Sequence, residues 1–306
     1  MGDQIIEMFP GGTDITYPLY YDLIQGIANP FFRFLMSIFA FPALYFIILA
    51  PLFFVYWCID ENRAFKLGIL LILSYHLNLL INIFWQVSLQ SQIVFMFFVS
   101  MIFFVPDRLR IFAGIDSLIC ILLTALSGIY HGRDFIPSIL FAWLMGAVLL
   151  AVNYFASIYI ESFLQKIKDG FRIFNLVAVS LTFIKLFIYP PGIAIAASLL
   201  GFALGYNLAK KKTGFTASPS AMQNISFPVP VLLALRCLLG FTSAIILYIA
   251  LGMILSGIEN LFEVRPNHDL SVFIRYAATA FFLSGGIPIL LSQMGLYKKA
   301  EPVEGI

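Results

Sequence analysis

The most constraining feature of this sequence is a series of continuous apolar runs, most of them about 20 residues long and bounded by charged or polar residues. An α-helix of that length spans the hydrocarbon core of a bilayer. A membrane β-barrel would instead alternate apolar and polar residues along strands of about ten residues. The chain is 61% hydrophobic and 11% charged, which leaves too little polar surface for a water-soluble domain. The sequence therefore predicts an all-α, polytopic transmembrane helical bundle.

The apolar runs predict nine membrane spans, at Phe34–Cys58, Leu67–Gln86, Gln92–Val105, Ile111–Ser127, Ile136–Ile160, Ile173–Tyr189, Gly192–Ala209, Val229–Leu255 and Ser271–Leu296. The third run is short, so we expect it either to extend over Val87–Ser91 or to end where the protein shields it from lipid. Before the first span, Tyr17–Asn29 mixes apolar and polar residues, which predicts a helix lying in the membrane interface.

Basic residues are concentrated in alternate connecting loops, at Arg63 and Lys66, Arg108 and Arg110, Lys166 to Arg172, Lys210 to Lys212, and Lys298 and Lys299. Loops rich in Lys and Arg face the cytoplasm. The sequence therefore predicts an outside N-terminus and a cytoplasmic C-terminus. The net charge of +2 is small and its basic residues are distributed over several short loops, so no nucleic-acid partner is expected.

Polar residues inside apolar spans are costly and therefore mark candidate sites. Asn78, Asn82 and Gln86 recur at intervals of four residues, which predicts one polar stripe on the second span. Such a stripe either holds helices together by hydrogen bonds or lines a ligand pocket, and both interpretations stay open. Two further groups of residues receive no chemical role. Lys185, Arg236 and Arg275 lie near span ends and are expected to reach lipid headgroups, and Cys58, Cys120 and Cys237 are expected to be packing residues.

The predicted outer loop that follows the fourth span is the densest polar cluster in the chain. It begins near Ser127 and contains His131, Arg133 and Asp134. An arginine can bind phosphate through two parallel hydrogen bonds, and a histidine can act as a nucleophile or an acid near neutral pH. The alternative is a solvated loop whose charges pair with one another.

The order of these features resembles the type 2 phosphatidic acid phosphatases of the PAP2 superfamily, which include bacterial undecaprenyl-pyrophosphate phosphatases. The resemblance begins at Tyr56–Asp60 and Leu77–Leu80. It continues at Val87–Gln92, which is similar to the family's PSGHAQ stretch, and at Leu126–Ser138, which is similar to its SRxYxGxHxPxD stretch. A weaker similarity runs through Leu140–Gly146, Gly205 and Tyr206, and the last helix pair. The resemblance implies a six-helix lipid-phosphatase-like core with additional C-terminal helices. We expect an N-terminal interfacial segment over residues 1–33, the transmembrane core over 34–160, and the additional helices over 161–306, packed as one unit with the core.

In that family a lysine and two arginines bind phosphate, one histidine attacks phosphorus, and a second histidine, oriented by an aspartate, protonates the leaving oxygen. The resemblance places different residues at most of these positions. Asn82 stands at the lysine, Gln90 at the nucleophilic histidine, Gly128 at an arginine, Asp134 at the acid histidine and Ser138 at the aspartate, whereas Ser88 and Ser127 match the family. A glutamine forms no useful phospho-intermediate, so the resemblance implies the scaffold without the family's reaction.

The leading hypothesis is therefore a bacterial inner-membrane protein that binds or handles a lipid, with a polyprenyl or phospholipid phosphate as the candidate, and does not hydrolyse it. The first alternative is an active lipid phosphatase or pyrophosphatase that uses His131, which lies inside the stretch Leu126–Ser138. The second is a component of lipid transport, suggested by the polar stripe and by Pro190 and Pro191. No cofactor, metal or nucleic acid is expected, and the sequence names no protein partner. The expected ligand-binding residues are Asn78, Asn82, Gln86, Ser88, Gln90, Ser127, His131, Arg133 and Asp134.

Overall fold

A computed structural model describes residues 26, 29–40, 43–82, 87–165, 190–215, 217, 228–261 and 268–297. Over these residues the chain forms helices joined by turns, and no strand occurs among them. The predicted all-α, multi-pass helical fold is confirmed. In chain order the helices are α1 (Pro30–Ile38), α2 (Ala43–Cys58), α3 (Glu61–Ile81), α4 (Leu89–Ile102), α5 (Arg110–Tyr130), α6 (Ile136–Gln165), α7 (Pro190–Thr213), α8 (Val229–Leu261), α9 (His268–Phe281) and α10 (Ile287–Gln293).

Six helical stretches in the described part of the chain are long and apolar enough to cross a membrane. They are Glu61–Ile81, Asp107–Tyr130, Ile136–Phe155, Ile193–Thr213, Val229–Gly257 and Leu270–Gln293. Ile47–Cys58 and Leu89–Ile102 are shorter apolar helices. Eight of the nine predicted spans thus coincide with an apolar helix. The remaining one, Ile173–Tyr189, lies outside the described residues, as does the predicted interfacial helix apart from Gly26 and Asn29.

The first two predicted spans differ from the structure in their bounds. The run Phe34–Cys58 is not one helix, because α1 ends at Ile38 and α2 begins at Ala43. Pro42 precedes α2 in the sequence, and a proline disfavours helical geometry at the residue before it. The second span also stops early, since α3 ends at Ile81 and not at Gln86.

The start of α1 has a clear local cause. The Asn29 side-chain oxygen accepts a hydrogen bond from the Phe32 backbone N–H at 2.7 Å, and Pro30 occupies the first helical position. Asparagine caps and first-turn prolines both favour helix initiation. A separate helix therefore begins at Pro30, whereas hydropathy alone predicts a single long span that begins at Phe34.

The chain divides into two compact units. The first consists of Met1–Ile47 and Ile81–Val148, and the second of Ile48–Leu80 and Leu149–Ile306. Each unit therefore draws on residues that are distant in sequence. The predicted division into an interfacial segment (1–33), a phosphatase-like core (34–160) and additional helices (161–306) stays a prediction.

In the second unit, α7 packs closely against α9 through two glycines one turn apart. A Cβ atom on Gly201 would lie 2.9 Å from the Ala277 carbonyl carbon, and one on Gly205 would lie 2.9 Å from the Gly285 backbone nitrogen. Both distances are too short for any side chain. Small residues spaced four apart let membrane helices approach until their backbones touch. The absence of side chains at these two positions is therefore what allows the contact.

A π-helical turn, Phe282–Gly286, joins α9 to α10 and is bonded to α2 within the same unit. The Tyr56 hydroxyl donates to the Ser284 carbonyl at 2.6 Å, and the Trp57 indole N–H donates to the Leu283 carbonyl at 3.2 Å. A π-helical turn interrupts the regular helical hydrogen-bond ladder, so its carbonyls accept side-chain donors readily. The two aromatic side chains thus stabilise this irregular turn.

Arg236 on α8 is only 2% exposed, so the prediction that it reaches lipid headgroups is wrong. Its guanidinium donates to the Leu296 carbonyl through two nitrogens and to the Trp57 carbonyl at 3.3 Å. The guanidinium also stacks on the Tyr297 ring, 4.1 Å from the ring centre. The hydrogen bonds supply in the protein interior what water would supply outside. Arg236 therefore ties the turn that follows α10 to α2.

Candidate functional site

Ser88 brings the stretches Val87–Gln92 and Leu126–Ser138 of the resemblance together in the first unit. It caps α4, because its hydroxyl accepts from the Ser91 backbone N–H at 3.2 Å. The same hydroxyl is hydrogen-bonded to the carboxylate of Asp134, in the loop between α5 and α6. The Ser88 backbone N–H donates to the Ser138 carbonyl at 3.5 Å, at the start of α6. Residues that are about 50 positions apart in sequence thus meet at one place.

Gly128 is in direct contact with the Asp134 side chain. The backbone N–H groups of Arg133 and Asp134 both donate to the Gly128 carbonyl, at 3.0 and 3.2 Å. A Cβ atom on Gly128 would lie 3.0 Å from the Asp134 carboxyl carbon and would overlap one of its oxygens. The position at which the resemblance expects a phosphate-binding arginine therefore has no room for a side chain in this loop conformation.

Three other predicted site residues are bonded to the end of α1. The Gln90 amide donates to the Phe39 carbonyl at 2.7 Å, and the Ser127 hydroxyl donates to the Met36 carbonyl at 2.8 Å. The His131 ring is also hydrogen-bonded to the Met36 carbonyl. The last carbonyls of a helix have no partner within the helix and must be satisfied from outside. The candidate site supplies those partners, so α1 covers part of the cluster.

Sequence reasoning missed the contribution of α1. Met36 is fully buried, and Phe32 packs edge-on against Tyr130 with the ring centres 5.6 Å apart. The signal that could have revealed this helix is the capping pair Asn29 and Pro30. Hydropathy concealed the signal because the apolar character continues without a break into α2.

The predicted stripe of Asn78, Asn82 and Gln86 does not lie on one helix, because α3 ends before its second member. Asn82 follows α3, where its side-chain oxygen accepts from the Val87 backbone N–H at 2.6 Å. Asn78 is fully buried and belongs to the second unit, whereas Gln86 lies outside the described residues. Asn82 therefore shapes the connection into α4, close in sequence to Ser88.

Charge in the loop between α5 and α6 is sparse. Partial burial lowers the pKa of His131, and the positive charge of Arg133 lowers it further, although the bond to the Met36 carbonyl opposes both effects. The imidazole is therefore neutral at neutral pH. Burial raises the pKa of Asp134, while its bond to Ser88 and the charge of Arg133 lower it in part. Arg133 is exposed and is the permanent cation of this loop, so the loop has charge for one phosphate and not for a pyrophosphate.

The raised pKa of Asp134 predicts a specific dependence of stability on pH. Because the folded state prefers the neutral acid, the stability that this preference supplies is present below the ordinary pKa of 3.8 and is lost as pH rises through the raised value. We expect Asp134→Asn to remove that decline and to be more stable than the wild type at neutral pH. The measurement is the unfolding midpoint in detergent across this pH range.

The matched control is Asp107→Asn, which alters a carboxylate that is 83% exposed and paired with Arg110. This control should leave the pH profile as it is in the wild type. Parallel profiles for the wild type and Asp134→Asn would contradict the prediction.

The apolar helices and the polar cluster at the ends of α4 and α5 define a multi-pass membrane protein with a phosphatase-like arrangement of motifs. Residues 193–299 match the family model of the PAP2 superfamily phosphatase, transmembrane extension. This match supports membership of the PAP2 superfamily, so the predicted resemblance is confirmed at that level. The matched region begins in α7 and does not include the cluster. No curated protein and no solved structure has significant similarity to the chain.

Proposed function

We propose that the protein is a catalytically impaired relative of the membrane lipid phosphatases that binds a lipid phosphate without hydrolysing it. The observation that carries the loss of catalysis is the packing of the Asp134 carboxylate over Gly128, whereas phosphate binding rests on the exposed Arg133. A carboxylate at this position repels a phosphate, whereas the guanidinium that the resemblance expects would attract one. The centre thus retains Ser88 and Ser127, which match the family, and lacks the cationic residues with which the family binds phosphate.

The contacts of Gln90 support the same proposal. Its amide nitrogen donates to the Phe39 carbonyl, and an amide nitrogen has no basic lone pair with which to attack phosphorus. Transfer of a phosphoryl group depends on positioning and on cations that stabilise the developing charge. Arg133 alone provides one guanidinium at the loop surface. One guanidinium is enough to hold a single phosphate and too little to stabilise its transfer.

The proposal includes a bacterial inner membrane with the N-terminus outside and the C-terminus in the cytoplasm. The alternating loop charges support this orientation. In that orientation the loop that contains His131 and Arg133 faces the outside, at the level of the lipid headgroups. A phosphate attached to a membrane lipid, including a polyprenyl phosphate, would meet Arg133 without leaving the bilayer.

The test is a pair of assays on the purified chain in detergent micelles. We expect no release of inorganic phosphate from phosphatidic acid or from a polyprenyl pyrophosphate. We expect Arg133→Gln to weaken the binding of phosphatidic acid at this site about tenfold, because one charge-assisted contact is lost. Arg108→Gln, at an exposed arginine before α5, is the matched control and should bind as the wild type does.

Two results would overturn the proposal. Phosphate release that disappears in His131→Ala would identify an active phosphatase, because the imidazole would then take part in the reaction. Equal binding by the wild type and Arg133→Gln would remove the loop as the phosphate site.

A further inference from the structure

A cavity of about 280 Å³ lies between α8 and α9 in the second unit. Its lining is polar and aromatic, with Tyr248 and Ser256 on α8 and Ser271, Arg275 and Tyr276 on α9. This helix pair lies within the matched residues 193–299 and is distant in sequence from Ser88 and Asp134.

A second, more open groove adjoins this cavity. The two share Arg275, Gly252 and Ser256, and the groove of about 590 Å³ continues along Ile249 and Met253. Those two side chains are 50% and 66% exposed on an apolar membrane helix. A polar chamber that opens onto an apolar groove matches an amphiphile, with a headgroup in the first and a hydrocarbon chain in the second.

Arg275 is held in a fixed position at the junction of the two spaces. Its guanidinium stacks on the Tyr248 ring, 3.8 Å from the ring centre. Gly252 makes room for it, since a Cβ atom there would lie 2.9 Å from the nearer Nη atom. A guanidinium that stacks on an aromatic face keeps its N–H groups in the plane of the stack, where they remain free to donate.

One of those donors has no acceptor. Among the described residues, the Nε of Arg275 is buried and has no hydrogen-bond partner. A buried donor without an acceptor is costly, and the cost is greater when the group is charged. An oxyanion in the cavity would remove that cost, and a phosphate or carboxylate matches the fork of a guanidinium.

The hydroxyls of the cavity can complete the coordination of an anion. The phenols of Tyr276 and Tyr248 are hydrogen-bonded to each other, which uses one of their two hydroxyl hydrogens and leaves the second for a ligand. The Ser271 hydroxyl also lines the cavity. Neutral donors of this kind surround bound anions without adding charge.

The depth of the cavity agrees with a lipid ligand. Its residues lie in the last turns of the span Val229–Gly257 and the first turns of the span Leu270–Gln293, so they are close to one face of the membrane. Arg275 is five residues into the second of these spans, which corresponds to about 8 Å along a helix. That depth is the boundary between headgroups and acyl chains, where tyrosines are also enriched.

We propose that this cavity binds the phosphate of an anionic membrane lipid, with Arg275 as the main contact and an acyl chain along Ile249 and Met253. The site uses no residue of the loop that contains Arg133 and does not depend on the function proposed for that loop. From the sequence alone, Arg275 is expected only to reach headgroups. The tertiary structure adds a fixed guanidinium, a chamber and a groove.

The test measures binding of phosphatidic acid to the full chain in mixed micelles by native mass spectrometry, with diacylglycerol and inorganic phosphate as separate probes. We expect Arg275→Gln to weaken one class of bound phosphatidic acid at least about tenfold. Arg275→Lys should restore part of the affinity, because it keeps the charge and loses the planar fork. Gly252→Leu, which fills the junction and retains the arginine, should weaken the same class. Arg108→Gln is the matched control for an exposed arginine and should leave binding unchanged.

The outcomes separate this site from the other one. A loss in Arg275→Gln that adds to the loss in Arg133→Gln supports two independent sites, whereas a loss in Arg275→Gln alone supports this inference and contradicts the proposed function. Unchanged binding in both Arg275→Gln and Gly252→Leu would overturn the inference. If diacylglycerol bound as well as phosphatidic acid, the site would not recognise the phosphate. If inorganic phosphate competed fully, the site would not recognise the lipid chain. Either result would also overturn the inference.

Discussion

Replacing Gly205 with alanine is expected to destabilise the protein by about 1–3 kcal/mol, the usual cost of forcing atoms into a filled interface. The added Cβ would lie 2.9 Å from the Gly285 backbone nitrogen and would overlap the Phe281 carbonyl. These neighbours are backbone atoms, which cannot move away as the end of a flexible side chain can. The helices α7 and α9 would have to separate over several residues. The measurement is the thermal unfolding midpoint of the purified chain in detergent.

The same substitution at Gly114 gives the opposite sign and serves as the control. Gly114 is a helical residue in α5 with no atom within 4 Å of the position its Cβ would occupy. Alanine in a helix is favoured over glycine by about 0.5–1 kcal/mol, so Gly114→Ala should be neutral or stabilising. If both variants shifted the midpoint in the same direction, the close approach of α7 and α9 would be refuted.

Replacing Arg236 with glutamine is expected to destabilise the protein by about 3 kcal/mol, the upper range for the loss of charge-assisted hydrogen bonds. Glutamine is too short to replace both guanidinium bonds to the Leu296 carbonyl, so that buried acceptor would lose its donors, whereas the Trp57 carbonyl would keep the Tyr297 hydroxyl. The stacking on Tyr297 would also be lost. Urea unfolding monitored by tryptophan fluorescence would measure the change, since Trp57 belongs to this network.

Arg236→Lys and Arg108→Gln complete that experiment. Lysine keeps the charge but cannot hydrogen-bond to all the carbonyls that the guanidinium reaches, so an intermediate loss of stability is expected. Arg108→Gln changes an exposed arginine and should stay within about 0.5 kcal/mol of the wild type. A wild-type stability for Arg236→Gln would place the guanidinium at the membrane interface, where the sequence alone predicts it.

The fold class follows from the sequence because the bilayer leaves a chain few choices. Backbone groups in hydrocarbon must bond within their own segment, so a long apolar run forms a helix whatever its neighbours are. The helices near Ile136–Phe155 and Val229–Gly257 therefore match their predicted spans within a few residues. The first span was predicted less well, since a break within an apolar run is set by local capping and by proline, to which hydropathy is insensitive.

The candidate site was predictable only as an order of motifs. The resemblance assigned Ser88, Asp134 and Ser138 to positions of the family's motifs, and their mutual contacts are known only from the structure. It did not indicate that Gly128 is covered by a carboxylate or that Gln90 bonds to Phe39. Those contacts depend on the path of the loop and on α1, which are decided by the packing of distant segments.

The sequence by itself determined that this chain is a multi-pass helical membrane protein and that it resembles the PAP2 superfamily. These properties depend on residue type summed over long windows, which local composition carries directly. Only the tertiary structure decided that Arg236 is buried and that Arg275 lines a cavity, although both are arginines near the ends of apolar runs. The free energy of a charged side chain depends on which acceptors lie within about 3 Å of it, and that arrangement is created by folding.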